Sequence, residues 1–463
     1  MQQLYYTSCR TGRSVGGNSG FHVRAMSPGL SSETVRAAIR YASYFLPTDT
    51  VLGAETTATA PIRLALLDTP DVGRIICHSV YLGKDPLTGR YGNFFSHILL
   101  DVPPKLQAGR VIGAWKNDFW KISDDDGETD LPDMTRWPQP PALDFRRMAA
   151  FASIEMNRKL LTFVLTALLN TTKDQRILLA APAESVAICV DIATRLLPEG
   201  ALGDLTFSTY EHELLGCHAR LAATTWDNPA GRSLPTSAYT GSCVACNVFD
   251  GRRTEWPMSS AYAEVVPTIL ASPERFQQLL EFKTRCEQLQ LQDSGLVDLV
   301  FRFEGKDRMN GLLAENAGLL LKYERVARHC IVRCQGGGDF LRRLAQWGLC
   351  DAVLHTSAVC FLRRLLDHEP NALTQIVGLD INTRRQIEGW LSPEGFAFTA
   401  EGDLESLSQM VEPATETGTV ALPTSPRRRK HRRTPAWIYL VGVLFVLVLG
   451  GIAVISYFGI LPK

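Results

Sequence analysis

The chain has 463 residues with 48 basic and 48 acidic side chains, and this formal balance excludes a globally basic nucleic-acid binder. Six of the basic residues lie in Arg427–Arg433 and one is Lys463, so the preceding chain carries 41 basic against 48 acidic residues and is mildly acidic. Eleven cysteines without a framework spacing, and an N-terminus lacking the apolar core of a secretory signal, argue for reduced thiols in a cytosolic setting.

Residues 1–145 are expected to form an α+β domain. Strand-like runs at Leu4–Thr7 and Phe21–Met26 flank a glycine-dense loop over residues 12–20. That loop has neither G-x-G-x-x-G nor G-x-x-x-x-G-K-[ST] spacing, so it reads as a structural turn rather than a phosphate cradle. Ser31, followed by an early Glu33, predicts the start of a helix over 33–45. Further strands are expected at Ile62–Leu67, Gly73–Leu82 and Asn93–Leu100. Cys9, Cys77 and His97 are the catalytic candidates, because an imidazole can generate a thiolate and then protonate a leaving group. Their other reading is as buried thiols and a core histidine. Residues 102–143, rich in Pro, Asp and Trp, are read as a connecting segment that closes this domain, with Asp124, Asp125 and Asp126 in an exposed loop.

Residues 146–255 predict an α/β unit. A helix over 146–169 leads to strand 176–181, helix 185–197 and strand 205–210, the order that makes parallel pairs. Strands are also expected over 220–226 and 241–249. Cys217, His218, Cys243 and Cys246 carry donor types that bind zinc. Positions three apart on a strand face opposite sides, however, which favours buried thiols over a metal site.

Residues 256–413 switch to helical periodicity. Ser272-Pro273-Glu274 marks a helix start, and helical stretches are read over 308–330, 338–349, 356–366 and 371–390, an all-α module suited to partner binding. Residues 414–435 form a Thr- and Pro-rich linker ending in Arg427, Arg428, Arg429, Lys430, Arg432 and Arg433, which are candidates for anionic lipid headgroups. Residues 436–461 carry no formal charge and would span roughly 39 Å as a helix. A bilayer core is about 30 Å thick, so a single transmembrane helix is expected, with the preceding chain on the cytoplasmic side by the positive-inside rule.

Two strings carry a family resemblance. Gln3–Leu30, with Gly89-Arg90-Tyr91-Gly92-Asn93-Phe94-Phe95-Ser96-His97, resembles the N-terminal domain of GTPase-associated protein 1. Leu196-Leu197-Pro198 with Leu205-Thr206-Phe207-Ser208-Thr209-Tyr210 is similar to that family's middle domain. The resemblance implies an accessory protein encoded near a GTPase in a bacterial conflict or signalling system, and it supplies no catalytic residues. The expectation is therefore a tail-anchored adaptor without a cofactor or a nucleic-acid partner. The alternative is a cysteine-dependent hydrolase or transferase in residues 1–145.

Overall fold

The computed structural model describes residues 1–304 apart from 54, 86, 124–127, 139–143, 233, 235–241, 256–259 and 292–293. Beyond them it describes residues 338, 341–342 and 345, and 352–392 apart from 369 and 377–378. The helices expected at 308–330 and 338–349, the acidic triplet, the linker with its basic run and the transmembrane segment therefore fall wholly or mostly outside the described residues. Among the described residues no helix is long and apolar enough to cross a membrane.

Among the described residues nine strands form one mixed sheet. The first five are β1 (Gln2–Cys9), β2 (Gly20–Met26), β3 (Arg63–Thr69), β4 (Gly73–Lys84) and β5 (Tyr91–Leu100), all joined in antiparallel pairs. The remaining four are β6 (Arg176–Ala180), β7 (Phe207–Ser208), β8 (Leu221–Thr224) and β9 (Cys243–Asn247), which pair in parallel. Their order across the sheet is β2-β1-β5-β4-β3-β7-β8-β6-β9. The antiparallel pair of β3 with β7 is the seam, so the sheet runs without interruption from the first expected domain into the second.

Alternation of side chains gives the sheet two buried faces. One face, including Leu64, Leu66, Ile76, Leu99, Ile177, Leu179, Phe207 and Val244, belongs to the larger core. Helices α3 (Ala108–Ile112), α4 (Phe145–Ser153), α5 (Glu155–Asn170) and α6 (Ala183–Leu196) pack into that core, as do α9 (Ala261–Ile269), α10 (Pro273–Gln288) and α11 (Ser294–Glu304). The short helices α7 (Glu199–Leu202) and α8 (Pro229–Arg232) interrupt the connections that follow α6 and β8. Ser272 precedes Pro273 at the first turn of α10, where a missing N–H costs no hydrogen bond. Beyond them lie α12 (Ala352–His368), α13 (Ala372–Gln375) and α14 (Ile381–Leu391), so the described residues after 260 contain helices and no strand.

The opposite face, with Leu4, Ala65, Leu67, Ile75, Cys77, Ile98, Leu178 and Ala222, has a thinner cover. It is made by α1 (Ser32–Ala42) and by Leu214 and Ala219 from the connection between β7 and β8. Four-residue α2 (Thr56–Thr59) lies in the long connection after α1. Ser31 caps α1 by accepting from the Thr34 N–H, as its position before the acidic first turn predicts.

Some expected boundaries shift for identifiable reasons. The helix read over 146–169 is two helices, broken where Ile154 adopts extended backbone with φ −82° and ψ 123°. Strand 205–210 contracts to β7, and its flanks stay tied to the neighbouring strands partly through side chains: Thr206 Oγ1 accepts from the Arg220 N–H, and Thr209 Oγ1 accepts from the Leu64 N–H. The connection 102–143 contains α3 and delivers Val111, Ile112 and Trp120 to the larger core.

Candidate functional site

The catalytic candidates are placed apart. Cys77 faces the thinner core, whereas His97 is in register with His78 and Tyr5 on the other side of the sheet. Burial pushes the Cys77 thiol up to about 11. His97 Nε2 pairs with Gln3 Oε1 at 3.0 Å, and its Nδ1 accepts from the Lys121 N–H at 3.3 Å. The neutral ring with its proton on Nε2 satisfies both contacts. His78 stacks on Trp120 with ring centroids 4.7 Å apart, and burial pulls both imidazoles down to about 3. Cys9 is buried four residues beyond Tyr5 on β1, with its Sγ against the carbonyls of Thr7 and His22. The structure thus brings together no thiol and imidazole among Cys9, Cys77 and His97.

The zinc candidates also separate. Cys246 joins the larger core while Cys217 and Cys243 pack against the thinner one. Burial pushes Cys246 up to about 12 and raises Cys217. Among the described residues no group of three His, Cys, Asp or Glu side chains is placed to hold a metal ion. Thiolate, not thiol, is the reactive form. We therefore expect Cys77 and Cys246 in the native protein to react with iodoacetamide at pH 8 at least a hundredfold more slowly than after denaturation. Peptide mass mapping reads this directly, and rapid native labelling of Cys77 would show that its thiol is reachable and ionised.

The glycine-dense loop uses its own donors. The Gly12 N–H bonds Gly17 O, Arg13 N–H bonds Arg10 O, Val15 N–H bonds Val23 O and Gly17 N–H bonds Ser14 O. Gly12 and Gly17, at φ +77° and +72°, take the left-handed conformation that such a compact turn requires.

The feature that combines space, charge and buried polarity is a cleft of about 390 Å³ on the thinly covered face. One wall is the end of α1 and the chain after it, with Tyr41, Tyr44 and Phe45; the other is 210–218, which follows β7. Arg63 and Leu67 of β3 form its floor. Arg63 is buried, with its side chain 5 % exposed, and it ties the walls together. Its Nη1 donates to Tyr41 O at 2.7 Å, near the C-terminus of α1, while Nε and Nη2 both donate to Glu211 Oε1 at 3.0 and 2.8 Å. A helix end leaves carbonyls without intrahelical partners, and a cation there is favoured by the helix dipole. Burial opposes the Arg63 charge, but the Glu211 carboxylate outweighs it and raises the guanidinium pKa. Tyr210 donates its hydroxyl to Phe45 O at 2.7 Å, and Tyr44 donates to Pro61 O at 2.7 Å. Sequence reasoning missed this cleft: Arg63 and Glu211 are 148 positions apart, and neither sits in a motif.

The fold is that of a mixed α/β protein with a cleft on the thinly covered face of its sheet and a glycine loop that is a self-bonded turn. Residues 1–137 match the family model of GTPase-associated protein 1, N-terminal domain type 2, which bears out the resemblance carried by Gln3–Leu30 and the 89–97 string. No curated protein matches the chain. The matched segment supplies β1 to β5, α1 and the cleft floor; the other wall comes from the chain that follows the Phe207-Ser208-Thr209-Tyr210 string.

Proposed function

We propose that this chain is the accessory partner of a GTPase in a bacterial conflict or signalling system, held at a membrane by residues 436–461 with its bulk facing the cytoplasm. The match of residues 1–137 to a GTPase-associated domain carries this reading, on a sequence with no phosphate-cradling lysine loop of its own. A partner senses nucleotide state only through different affinity for the two forms of the switch segments. The uncharged length of 436–461 and the six cations just before it support the anchor and its orientation.

The full chain, solubilised in detergent and immobilised, should capture a GTPase encoded nearby, with the GTP-analogue and GDP forms differing in recovery by about threefold or more. Recovery of other partners without any GTPase would overturn the accessory reading. Equal recovery of both forms would leave a constitutive scaffold. Separately, the full chain should stay with the membrane through carbonate extraction; release into the supernatant would remove the anchor.

A further inference from the structure

The buried guanidinium on the cleft floor and the tyrosine hydroxyls of its walls already spend their hydrogens within the protein. Arg63 gives its Nε and Nη2 to one oxygen of Glu211 and its Nη1 to Tyr41 O. Arg40 Nη2 donates to Asp71 Oδ2 at 2.9 Å, and the Tyr41 hydroxyl donates to the same oxygen at 3.2 Å. The hydroxyl hydrogens of Tyr44 and Tyr210 go to main-chain carbonyls. One buried acceptor stands out among the groups that remain. Glu211 Oε2 has no hydrogen-bond partner among the described residues, although its side chain is only 14 % exposed. His212 Nδ1 is buried and also unpartnered. The tyrosine oxygens keep their lone pairs, and Glu213 adds a second carboxylate at the rim.

The buried Arg63 and Glu211 neutralise each other, and Arg40, paired with Asp71, is exposed at the rim, so the choice of ligand falls to hydrogen-bonding groups rather than to net charge. A group rich in N–H donors would find the open Oε2 of the paired Glu211 carboxylate, lone pairs, and the rings of Tyr41, Tyr44 and Phe45 among the lining. Charge-assisted hydrogen bonds to a carboxylate and cation attraction to ring faces both favour guanidinium or ammonium groups. The volume is at the low end of the range for small-ligand sites. We propose that this cleft is a socket for a guanidinium or alkylammonium group, seated on Glu211 Oε2 and flanked by Tyr41. The group would come from an Arg or Lys side chain of a partner protein or from a free guanidine or amine. The inference stands on the cleft alone and is independent of GTPase capture.

Calorimetric titration of the full chain in detergent tests it with three probes: N-acetyl-arginine amide, methylguanidine, and N-acetyl-citrulline amide as the uncharged isostere. The arginine probe should bind saturably at least tenfold more tightly than the citrulline probe. Methylguanidine binding equally well would point to a free small cation, and tighter binding of the blocked arginine would point to a protein side chain; both outcomes support the socket. Glu211→Gln should abolish the preference for charge. Because that substitution also touches Arg63, Tyr41→Leu is the second variant: it leaves the Tyr41 main-chain carbonyl in place, and should weaken the arginine probe severalfold while the unfolding midpoint shows the protein folded. Equal affinity for arginine and citrulline probes, no binding of either cation, or full binding by Tyr41→Leu together with Glu211→Gln would overturn the proposal.

Discussion

A Glu211→Leu substitution is expected to lower the unfolding free energy by about 3–5 kcal/mol, the range for removing one partner of a buried ion pair. The magnitude follows from what remains: Arg63 would keep its charge on a side chain 5 % exposed, with two of its three hydrogen bonds gone. The bond to Tyr41 O would survive and hold the guanidinium in place, so Arg63 could not easily move to water. Removing both charges together, as Arg63→Met with Glu211→Leu, should recover most of the loss, because paired burial is close to neutral against an apolar substitute. Urea unfolding followed by tryptophan fluorescence measures all three variants. A single-mutant loss below about 1 kcal/mol would show that the pair behaves as a surface salt bridge.

The second large effect is acid lability through His78 and His97. Burial lowers both imidazoles to about 3, with His78 also acting on His97, against 6.5 for the ordinary side chain. Their folded pKa is depressed, so below pH 6.5 the unfolded chain takes up protons that the folded protein refuses. Stability is therefore fully present above that value and declines as pH falls toward 3. One pH unit corresponds to about 1.4 kcal/mol per group, so on the order of 4 kcal/mol is lost by the pair between pH 7 and pH 5. His78→Phe keeps a ring against Trp120 and removes one titrating site. Its unfolding midpoint should change about half as steeply over that interval. An unchanged slope would mean that other groups control the acid response.

The parts of this fold were not equally readable. The helix start at Ser31, strands β1 to β6 and the start of α10 follow from local rules: capping chemistry, alternation of apolar residues, and proline at a first helical turn. The parallel direction of strands 176–181 and 205–210 was also legible from the helix between them, but β8 lies between β6 and β7 and pairs with each, which local pattern does not show. Cys243 and Cys246 could be assigned to opposite faces from their spacing alone, and the two cores confirm it.

Relations between distant strands were a different matter. That Cys77 and His78 face opposite sides follows from alternation, but that His97 shares a face with His78 depends on the pairing register of β4 with β5; a one-residue slip would exchange the faces. The buried pair of Arg63 and Glu211 depends on β3 meeting β7, a contact between segments that composition and periodicity treat separately. The sequence by itself determined the class of the elements, the absence of a nucleotide-binding loop, the resemblance of its first part and the apolar tail, all of which reside in neighbouring residues. Only the tertiary structure decided which polar groups meet, because hydrogen-bond partners in one sheet are chosen by register and strand order rather than by distance along the chain.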